Sequence, residues 1–309
     1  MSALSNCILE MARSDTASHV PTKHSAFDFD KWTRRTQRVL DVVFSRRNAD
    51  TAVVTIHLRA NLTTRSKPRL ALRMGWHHLL FLHWPIEVAQ LQKLVPDELE
   101  IDTFDGAAYI GLIPFSMTRV RPRMLPHLPF APRLYENFHE TNVRTYVRHR
   151  ATGERGVWFF SLDAASLPAV VAARSWFHLP YFWSKMNLKV SSKGNVRNIE
   201  YSSRRLWPSP KNSGCHIRAI VDLSRTPQLA APNSLEHFLV ERYLLFSHDG
   251  ANLYRGRVSH KPYRLLSARL EMWEENLIAA ANIEYSKCAP HVLYAFEARV
   301  EAFAARKTF

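Results

Sequence analysis

The side chains best suited to chemistry lie on one predicted strand, ENFHETNVRTYVRH at residues 136–149. Side chains alternate between the two faces of a strand, so one face carries an acid, an amide, a guanidinium and a phenol. These are Glu140, Asn142, Arg144 and Tyr146. Such a set binds a polar ligand or satisfies itself as a buried ion network, and the sequence leaves both alternatives open.

The next predicted strand, GVWFFSLDA at 156–164, forms a hairpin with the first around the turn ATGER. If His149 lies opposite Gly156, the pairing adds a second acid, Asp163, and a hydroxyl, Ser161, to the cluster. A slip of one residue in this register would move both side chains to the other face of the sheet.

In that register Asp163 faces Asn142, and Ser161 faces Arg144. Asp163 and Glu140 are therefore the candidate catalytic residues, as general acid or base. The other members of the cluster are candidate ligand-binding residues: Asn142, Arg144, Tyr146 and Ser161.

The segment AARSWFHLPYF at 172–182 supplies a further cation, Arg174. Ser166 as N-cap and Pro168 in the first turn predict a short helix that leads to it. A fixed guanidinium at the rim of a pocket can hold a carboxylate through two parallel hydrogen bonds. The alternative is that Arg174 pairs with Asp163 and fixes this helix onto the sheet.

Motifs that would identify a cofactor or a common reaction are absent from the sequence. It contains no GxGxxG, P-loop, GxSxG or HExxH pattern. His78 and His83 have no further ligands at useful spacing, so we interpret both as structural histidines. Cys7, Cys215 and Cys288 are an odd number without metal-type spacing, which favours a reduced, cytoplasmic compartment. We therefore predict no cofactor and no metal site.

The rest of the chain from Met74 is rich in predicted strands. Many strands, few helices and non-helical connections favour a mainly β, or β-rich α+β, fold with a closed or nearly closed antiparallel sheet and a few short peripheral helices. The further predicted strands are 104–120, 237–247, 253–260 and 291–303, and the predicted helices are 83–96 and 267–281.

Charge and patterning separate the first part of the chain from the rest. The net charge of the 309 residues is +15, and residues 1–73 contribute 13 Lys/Arg against 6 Asp/Glu. That segment is poorly patterned and predicts a basic extension, disordered or partly helical, before a domain at 74–305. Scattered arginines without a reading helix predict no specific nucleic-acid partner, and no apolar run approaches the roughly 18 residues of a membrane span. A homo-oligomer is left open.

Several segments occur in the order seen in the uncharacterised YqjF-like family, which this chain resembles from about Met74 to Val300. The matching segments are HWPIEV, LVPDELEIDTFDGAAYIGLIPFSM, RPRMLPHLP, ETNVRTYV, GVWFFSLDA, ARSWFHLPY, FLVERYLLF and LYRGRVSHKP. The family resembles the acetoacetate decarboxylases in turn. This resemblance implies an antiparallel acetoacetate decarboxylase-like β-barrel with a central polar cavity.

The decarboxylases carry the segment GREIWGFPKK, over which ARSWFHLPYF lies residue by residue. Arg174 matches the arginine and Pro180 the proline, while the two lysines fall on Tyr181 and Phe182. In the decarboxylases one lysine forms a Schiff base and its neighbour lowers the pKa of that lysine. Neither Tyr nor Phe can form an imine, so the resemblance implies the fold without the lysine chemistry. Glu140 matches an acidic residue that lines the decarboxylase cavity.

Together these patterns predict a cytoplasmic β-barrel that binds a small anionic organic molecule, for which a carboxylate is the expected class. The predicted ligand-binding residues are Arg174, Arg144, Asn142, Ser161 and Tyr146. The first alternative is an enzyme, a lyase or hydrolase, with Asp163 or Glu140 as general acid or base and an arginine holding the substrate. The second alternative is a structural or partner-binding protein whose barrel is filled by its own side chains.

Overall fold

A computed structural model of the protein describes residues 69–122 and 137–308. The extension predicted for residues 1–73 therefore lies outside the described residues, except for residues 69–73. Across the two described ranges, no helix has the length and apolar character needed to cross a membrane.

Strands dominate the described residues, which confirms the mainly β class. The strands are β1 (Leu70–Ile86), β2 (Leu99–Ile101), β3 (Ala108–Pro122), β4 (Phe138–His149), β5 (Arg155–Ala164), β6 (Tyr181–Lys193), β7 (Val196–Trp207), β8 (Gly214–Asp222), β9 (Gln228–Leu229), β10 (Leu244–His248), β11 (Leu253–Ser259), β12 (Arg264–Glu275) and β13 (His291–Lys307). The short helices are α1 (Val88–Gln92), α2 (Leu167–Phe177) and α3 (Leu235–Val240), with a 3₁₀ turn at Ala279–Ala281.

All these strands belong to one large mixed sheet. Its order is β2-β4-β3-β1-β13-β11-β10-β5-β6-β7-β8-β12-β9, and β4 also pairs with β5 and β13 with β12. Pairing therefore runs from β4 through β3, β1, β13, β11, β10 and β5 back to β4. Most pairs are antiparallel, but β5 pairs in parallel with both β6 and β10. The crossover helix α2 between β5 and β6 makes the parallel pair possible, because it returns the chain to the same end of the sheet.

Two hydrophobic cores lie on opposite faces of β1, β3 and β4. The first core contains Leu79 and Phe81 of β1, together with Phe115 and Tyr146 of the neighbouring strands. The second core contains the alternate residues of the same strands, such as Leu80, Leu82 and Val143. Each of these strands is thus buried on both faces. Polar side chains on these strands therefore point into one of the two cores.

Burial on both faces explains why the helix predicted at 83–96 is longer than the observed one. β1 continues to Ile86, and the helix is confined to Val88–Gln92. A strand covered on both faces is a continuous apolar run, and such a run does not show the alternation that identifies a strand from sequence.

The helix predicted at 267–281 is wrong, because this segment forms β12 as far as Glu275. The pairing of β12 with β8 shifts between Leu270 and Met272. This bulge brings Leu270 and Trp273 to the same core although they are three residues apart, so the spacing resembles that of a helix.

The strand predicted at 237–247 is divided between α3 and β10. Ser234 caps α3 by accepting a hydrogen bond from the backbone N–H of His237 at 3.2 Å. α3 contains three consecutive buried residues, Phe238, Leu239 and Val240. Its sequence therefore lacks the 3.6-residue apolar repeat that identifies a helix. The other predicted elements are confirmed: β3, β11, β13 and the helix after Ser166, whose hydroxyl accepts from Ala169 N.

Candidate functional site

The polar face predicted for β4 is confirmed. β4 pairs with β3 without irregularity, from Phe115 opposite Glu140 to Gly111 opposite Arg144. Glu140, Asn142, Arg144 and Tyr146 therefore share the face that is turned toward the first core. Strand alternation alone determines this placement, since no bulge interrupts β4 against β3.

The predicted register between β4 and β5 is wrong. Val147, rather than His149, lies opposite Gly156. The turn is tighter than predicted, because the backbone N–H of His149 already donates to Glu154 O at 2.9 Å. Gly153, with a φ of 69°, adopts the left-handed conformation that this turn requires.

A β-bulge then shifts the register again, between Val143 and Arg144. Ser161 lies opposite Val143, and Asp163 lies opposite Thr141. Both side chains are therefore on the face of β4 that is turned away from Arg144. The predicted placement of Asp163 and Ser161 beside the guanidinium is wrong for this reason.

Asp163 belongs to a buried ion pair instead. Arg205 of β7 donates from Nη2 to Oδ1 at 2.7 Å and from Nε to Oδ2 at 3.0 Å, and Ser184 Oγ donates to Oδ2 at 2.8 Å. The guanidinium of Arg205, with 1% of its side chain exposed, also lies 3.5 Å from the centre of the Phe182 ring. A carboxylate held in this way links strands and has little freedom to act as a general acid or base, so the structure argues against a catalytic Asp163.

Arg174 binds neither Asp163 nor the polar face of β4. It lies in the last turn of α2, where Nη1 donates to the backbone oxygen of Tyr181 at 2.6 Å. Its guanidinium lies 6.0 Å from the ring of Phe182 and 5.7 Å from that of Trp207. Burial lowers the pKa of Arg174 from its usual value. Arg174 thus anchors the start of β6 to α2.

Glu140 and Tyr181 form a buried hydrogen-bonded pair. Tyr181 Oη donates to Glu140 Oε2 at 2.9 Å, and the side chain of Glu140 is 1% exposed. Burial raises the pKa of Glu140 to about 8; the hydrogen bond from Tyr181 opposes this shift, and the charge of Asp163 adds to it. Glu140 is therefore mostly protonated near neutral pH, and the pair adds little negative charge to the site.

Arg144 is the cation of this face. Nη2 donates to Leu239 O at 3.1 Å and more weakly to Tyr146 Oη at 3.4 Å, and the guanidinium lies 5.9 Å from the Phe81 ring. Nε is buried and has no hydrogen-bond partner among the residues that the structure describes. Within residues 69–122 and 137–308, no acidic side chain forms an ion pair with Arg144. A half-buried guanidinium that contacts only neutral groups retains its full attraction for an anion.

Three more buried polar atoms near this face have no hydrogen-bond partner in the described residues. They are Asn142 Oδ1, His83 Nδ1 and Trp76 Nε1. Asn142 is 7% exposed, and it lies between Glu140 and Arg144 on the same face of β4. Buried polar groups in folded proteins are nearly always paired, so a cluster of unpaired ones marks a place where a ligand or water completes the bonding.

His83 is the functional candidate that the sequence did not reveal. It is fully buried on β1, and Nε2 lies 2.6 Å from Tyr146 Oη. Gly111 of β3 makes room for the ring, because a Cβ at this position would lie 2.9 Å from His83 Nε2. The feature that identifies His83 is its position opposite a glycine. This feature can be recognised only when the pairing register of β1 and β3 is known, and a single sequence does not give that register.

Aromatic rings of the first core pack beside the polar row of β4. Tyr263 packs edge-on against Phe81 at 5.3 Å and against His260 at 4.5 Å. Trp76 continues the row, with ring centres 5.8 Å from His260 and 5.6 Å from Phe115. In the part of the chain that the structure describes, no three His, Cys, Asp or Glu side chains form a group that could hold a metal ion. The arrangement therefore combines one cation, one protonated acid, an amide and an apolar wall.

Comparison with known proteins assigns the chain to a family. Residues 73–299 match the sequence model of DUF2071, which is described as an uncharacterized conserved protein. The chain is 38% identical over 224 residues to the uncharacterized protein YqjF of Bacillus subtilis (strain 168), covering 72% of this chain and 87% of that protein. The chain belongs to the DUF2071 family.

The fold of this DUF2071 protein is similar to that of acetoacetate decarboxylase-like proteins. The enduracididine biosynthesis enzyme MppR, in complex with pyruvate, matches with a TM-score of 0.53 at 10% identity, over 79% of this chain and 93% of that one. The acetoacetate decarboxylase of Legionella pneumophila subsp. pneumophila str. Philadelphia 1 matches with a TM-score of 0.52 at 14% identity, over 94% of this chain and 98% of that one. Identities this low establish a shared fold only, and that fold confirms the predicted resemblance to the acetoacetate decarboxylases.

Proposed function

We propose that this DUF2071 protein binds a small organic carboxylate at the first-core face of β4, with Arg144 as the anion-binding residue. The observation that carries the proposal is the environment of Arg144. Its guanidinium is half-buried, and among residues 69–122 and 137–308 it contacts only neutral groups and has a buried Nε without a hydrogen-bond partner. A carboxylate supplies both the missing charge and the missing acceptor.

The neighbouring acid supports an anionic ligand. Because burial raises the pKa of Glu140 to about 8, it stands mainly as a neutral acid at pH 7. A neutral Glu140 does not repel a carboxylate, and it leaves the charge of Arg144 uncompensated. Asn142 adds a buried amide oxygen that has no hydrogen-bond partner in the described part of the chain, and this oxygen is suited to a donor on the same ligand. The proposed binding set is thus Arg144 and Asn142. Tyr146 positions Arg144 through its hydroxyl, and Ser161 and Arg174 lie outside the set.

The fold neighbours offer a precedent for the ligand class. One MppR structure contains pyruvate, and another contains a condensation product of pyruvate and imidazole 4-carboxaldehyde. Here Tyr181 and Phe182 occupy the two positions that resemble the decarboxylase lysines, so the proposed binding does not proceed through an imine. The proposal is non-covalent recognition of an acid.

A thermal-shift series on the purified full chain tests the proposal. Small carboxylic acids and 2-oxo acids should raise the unfolding midpoint by a few degrees, whereas their methyl esters should not. Arg144→Lys keeps the charge but loses the planar fork, and it should abolish the shift. Arg148→Lys is the matched control, because Arg148 lies on the same strand with its side chain half-exposed and paired with Glu100. Equal shifts with acids and esters, or an unaffected Arg144→Lys variant, would refute carboxylate binding.

A second candidate function is acid–base catalysis by Glu140. It is favoured by one observation, the pKa of about 8 for a buried carboxyl that is hydrogen-bonded to Tyr181. A group poised near neutral pH can both give and take a proton. Exchange of the α-hydrogens of added 2-oxo acids in D₂O, followed by NMR, should be accelerated by the protein and not by Glu140→Gln. Equal exchange with both proteins would remove this candidate.

A structural or partner-binding role is the third reading, and the unpaired polar atoms on the face of β4 make it the least supported. A cytoplasmic location stays a prediction from the sequence, because Cys288 is disulfide-bonded and cysteine usage therefore does not support it. Cell fractionation with an antibody to the protein tests that location, and recovery in a membrane or extracellular fraction would contradict it.

A further inference from the structure

The hydrogen bonds around Tyr146 determine which nitrogen of His83 carries the proton. Tyr146 Oη lies 2.6 Å from Leu239 O and 2.6 Å from His83 Nε2. A phenol has one proton to donate, and a carbonyl oxygen can only accept. Donation toward His83 would leave two lone pairs facing each other at the short contact with Leu239. Tyr146 therefore donates to Leu239 O, and His83 Nε2–H donates to Tyr146.

The other ring nitrogen then carries a lone pair. Burial holds the pKa of His83 well below its usual value, and the charges of Arg144 and His291 act in the same direction. The ring is consequently neutral, and a neutral imidazole that is protonated at Nε2 is an acceptor at Nδ1. This Nδ1 is buried and has no donor within the described residues.

His83 and Arg144 belong to one site. On three adjacent strands His83 lies opposite Gly111, and Gly111 lies opposite Arg144. The ring of His83 and the guanidinium of Arg144 both contact the oxygen of Tyr146. A Cβ at Gly111 would lie 2.9 Å from Nε2 and 3.0 Å from Cδ2, so the opposite edge of the ring, which carries Nδ1, faces away from β3 on the side of the sheet that Arg144 shares.

We propose that His83 Nδ1 accepts a hydrogen bond from the ligand, so that the preferred ligand is a hydroxy acid. The carboxylate would lie on Arg144, and the hydroxyl one or two carbons away would donate to His83. This inference rests on the carboxylate binding proposed above. It adds the requirement that the ligand carry a hydrogen-bond donor. Arg144 cannot impose this requirement, because a guanidinium only donates hydrogen bonds and recognises only acceptors.

Binding of matched acids to the full chain, measured by calorimetry, tests the preference. Lactate should bind about fivefold more tightly than propionate, and mandelate should likewise bind more tightly than phenylacetate. A change in affinity of about fivefold corresponds to the net contribution of one buried hydrogen bond. In His83→Phe the ratio within each pair should fall to about one. His216→Phe, the same change at a half-exposed histidine of β8, should leave the ratio unchanged.

The tautomer is measurable without any ligand. In long-range ¹H–¹⁵N spectra of the wild-type protein, Nδ1 of His83 should have the shift of an unprotonated nitrogen and Nε2 that of a protonated one. A protonated Nδ1 would overturn the inference even if His83→Phe fails to fold. If the two acids of each pair bind equally, or if His83→Phe keeps the preference, the hydroxy-acid inference fails while carboxylate binding stands. If no acid binds, the proposed function fails and the inference falls with it.

Discussion

Protonation of Glu140 leaves the positive charge of Arg144 as the charge of the site, and it makes the stability of the protein depend on pH. Burial raises the pKa of this group to about 8 in the folded state, whereas an exposed glutamate titrates near 4.5. Folding therefore favours the protonated form. The stabilisation is fully present below the unfolded pKa, and it is lost as the pH rises through the folded pKa.

Between pH 5 and pH 8 we thus expect wild-type stability to fall relative to that of Glu140→Gln, which cannot ionise. The slope is at most about 1.4 kcal/mol per pH unit, so the total is on the order of a few kcal/mol. Urea melts at several pH values measure it. Glu271→Gln, at an exposed position on β12, should show no such slope. Parallel stability curves for wild type and Glu140→Gln would mean that Glu140 is ionised in the folded protein.

Positions 181 and 182 carry no lysine that could form a Schiff base. Because Tyr181 and Phe182 stand at the positions that resemble the decarboxylase lysines, borohydride trapping with acetoacetate should label no lysine stoichiometrically. An acetoacetate decarboxylase treated in the same way is the positive control. Lys185, an exposed residue of β6, is the lysine to inspect by peptide mass mapping. Stoichiometric labelling there would restore a Schiff-base mechanism.

At the scale of elements, the ion pair between Asp163 and Arg205 ties β5 to β7 across β6. Both side chains are almost completely buried, so removal of one partner leaves a charge without compensation. We expect Arg205→Met to lower the free energy of unfolding by about 3–5 kcal/mol. Arg204→Met, at the exposed neighbouring position, should have little effect. Urea denaturation compares the two variants.

The double variant Asp163→Leu/Arg205→Met refines this test. Replacement of both charges removes the desolvation penalty together with the attraction, so it should recover much of the loss. If Arg205→Met costs no more than Arg204→Met, the pair does not hold the strands together.

The contrast between β4 and β5 shows which parts of the site the sequence could predict. Alternation along one strand is a local property, so the shared face of Glu140, Asn142 and Arg144 followed directly from their numbering. The position of Asp163 depends on a tight turn and a bulge, and each shifts the register without a clear signature in the residues. A bulge is also the reason that β12 was predicted as a helix, because it gives the apolar residues of this strand a helical spacing.

The contacts of His83 could not be predicted from the sequence. Its neighbours Arg144 and Tyr146 are more than sixty positions away in the chain, and they meet it only through the β1–β3–β4 pairing. Arg174 was predicted to bind a carboxylate at a pocket rim or to pair with Asp163, whereas its guanidinium binds the backbone oxygen of Tyr181. Sequence patterns identified candidate side chains, whereas their partners required the assembled sheet.

At the scale of the whole molecule, the first residues of β1 precede the predicted start of the domain. The sequence predicts a domain at 74–305, the family match begins at residue 73, and β1 begins at Leu70. The first residues of β1 pair on both sides, with Leu72 opposite Ala302 of β13 and opposite Pro122 of β3. These contacts belong to the sheet although they precede the predicted boundary.

We therefore expect two shortened chains to differ in stability. A chain that begins at Arg69 keeps all of β1, and because residues 1–68 lack an apolar pattern it should unfold in urea with the midpoint and slope of the full protein. A chain that begins at Met74 loses the pairing of Leu70 and Leu72, both half-buried, and should be less stable by about 1–2 kcal/mol. A loss above about 2 kcal/mol in the chain that begins at Arg69, the scale of one well-buried side chain, would instead show that residues 1–68 contribute to the core.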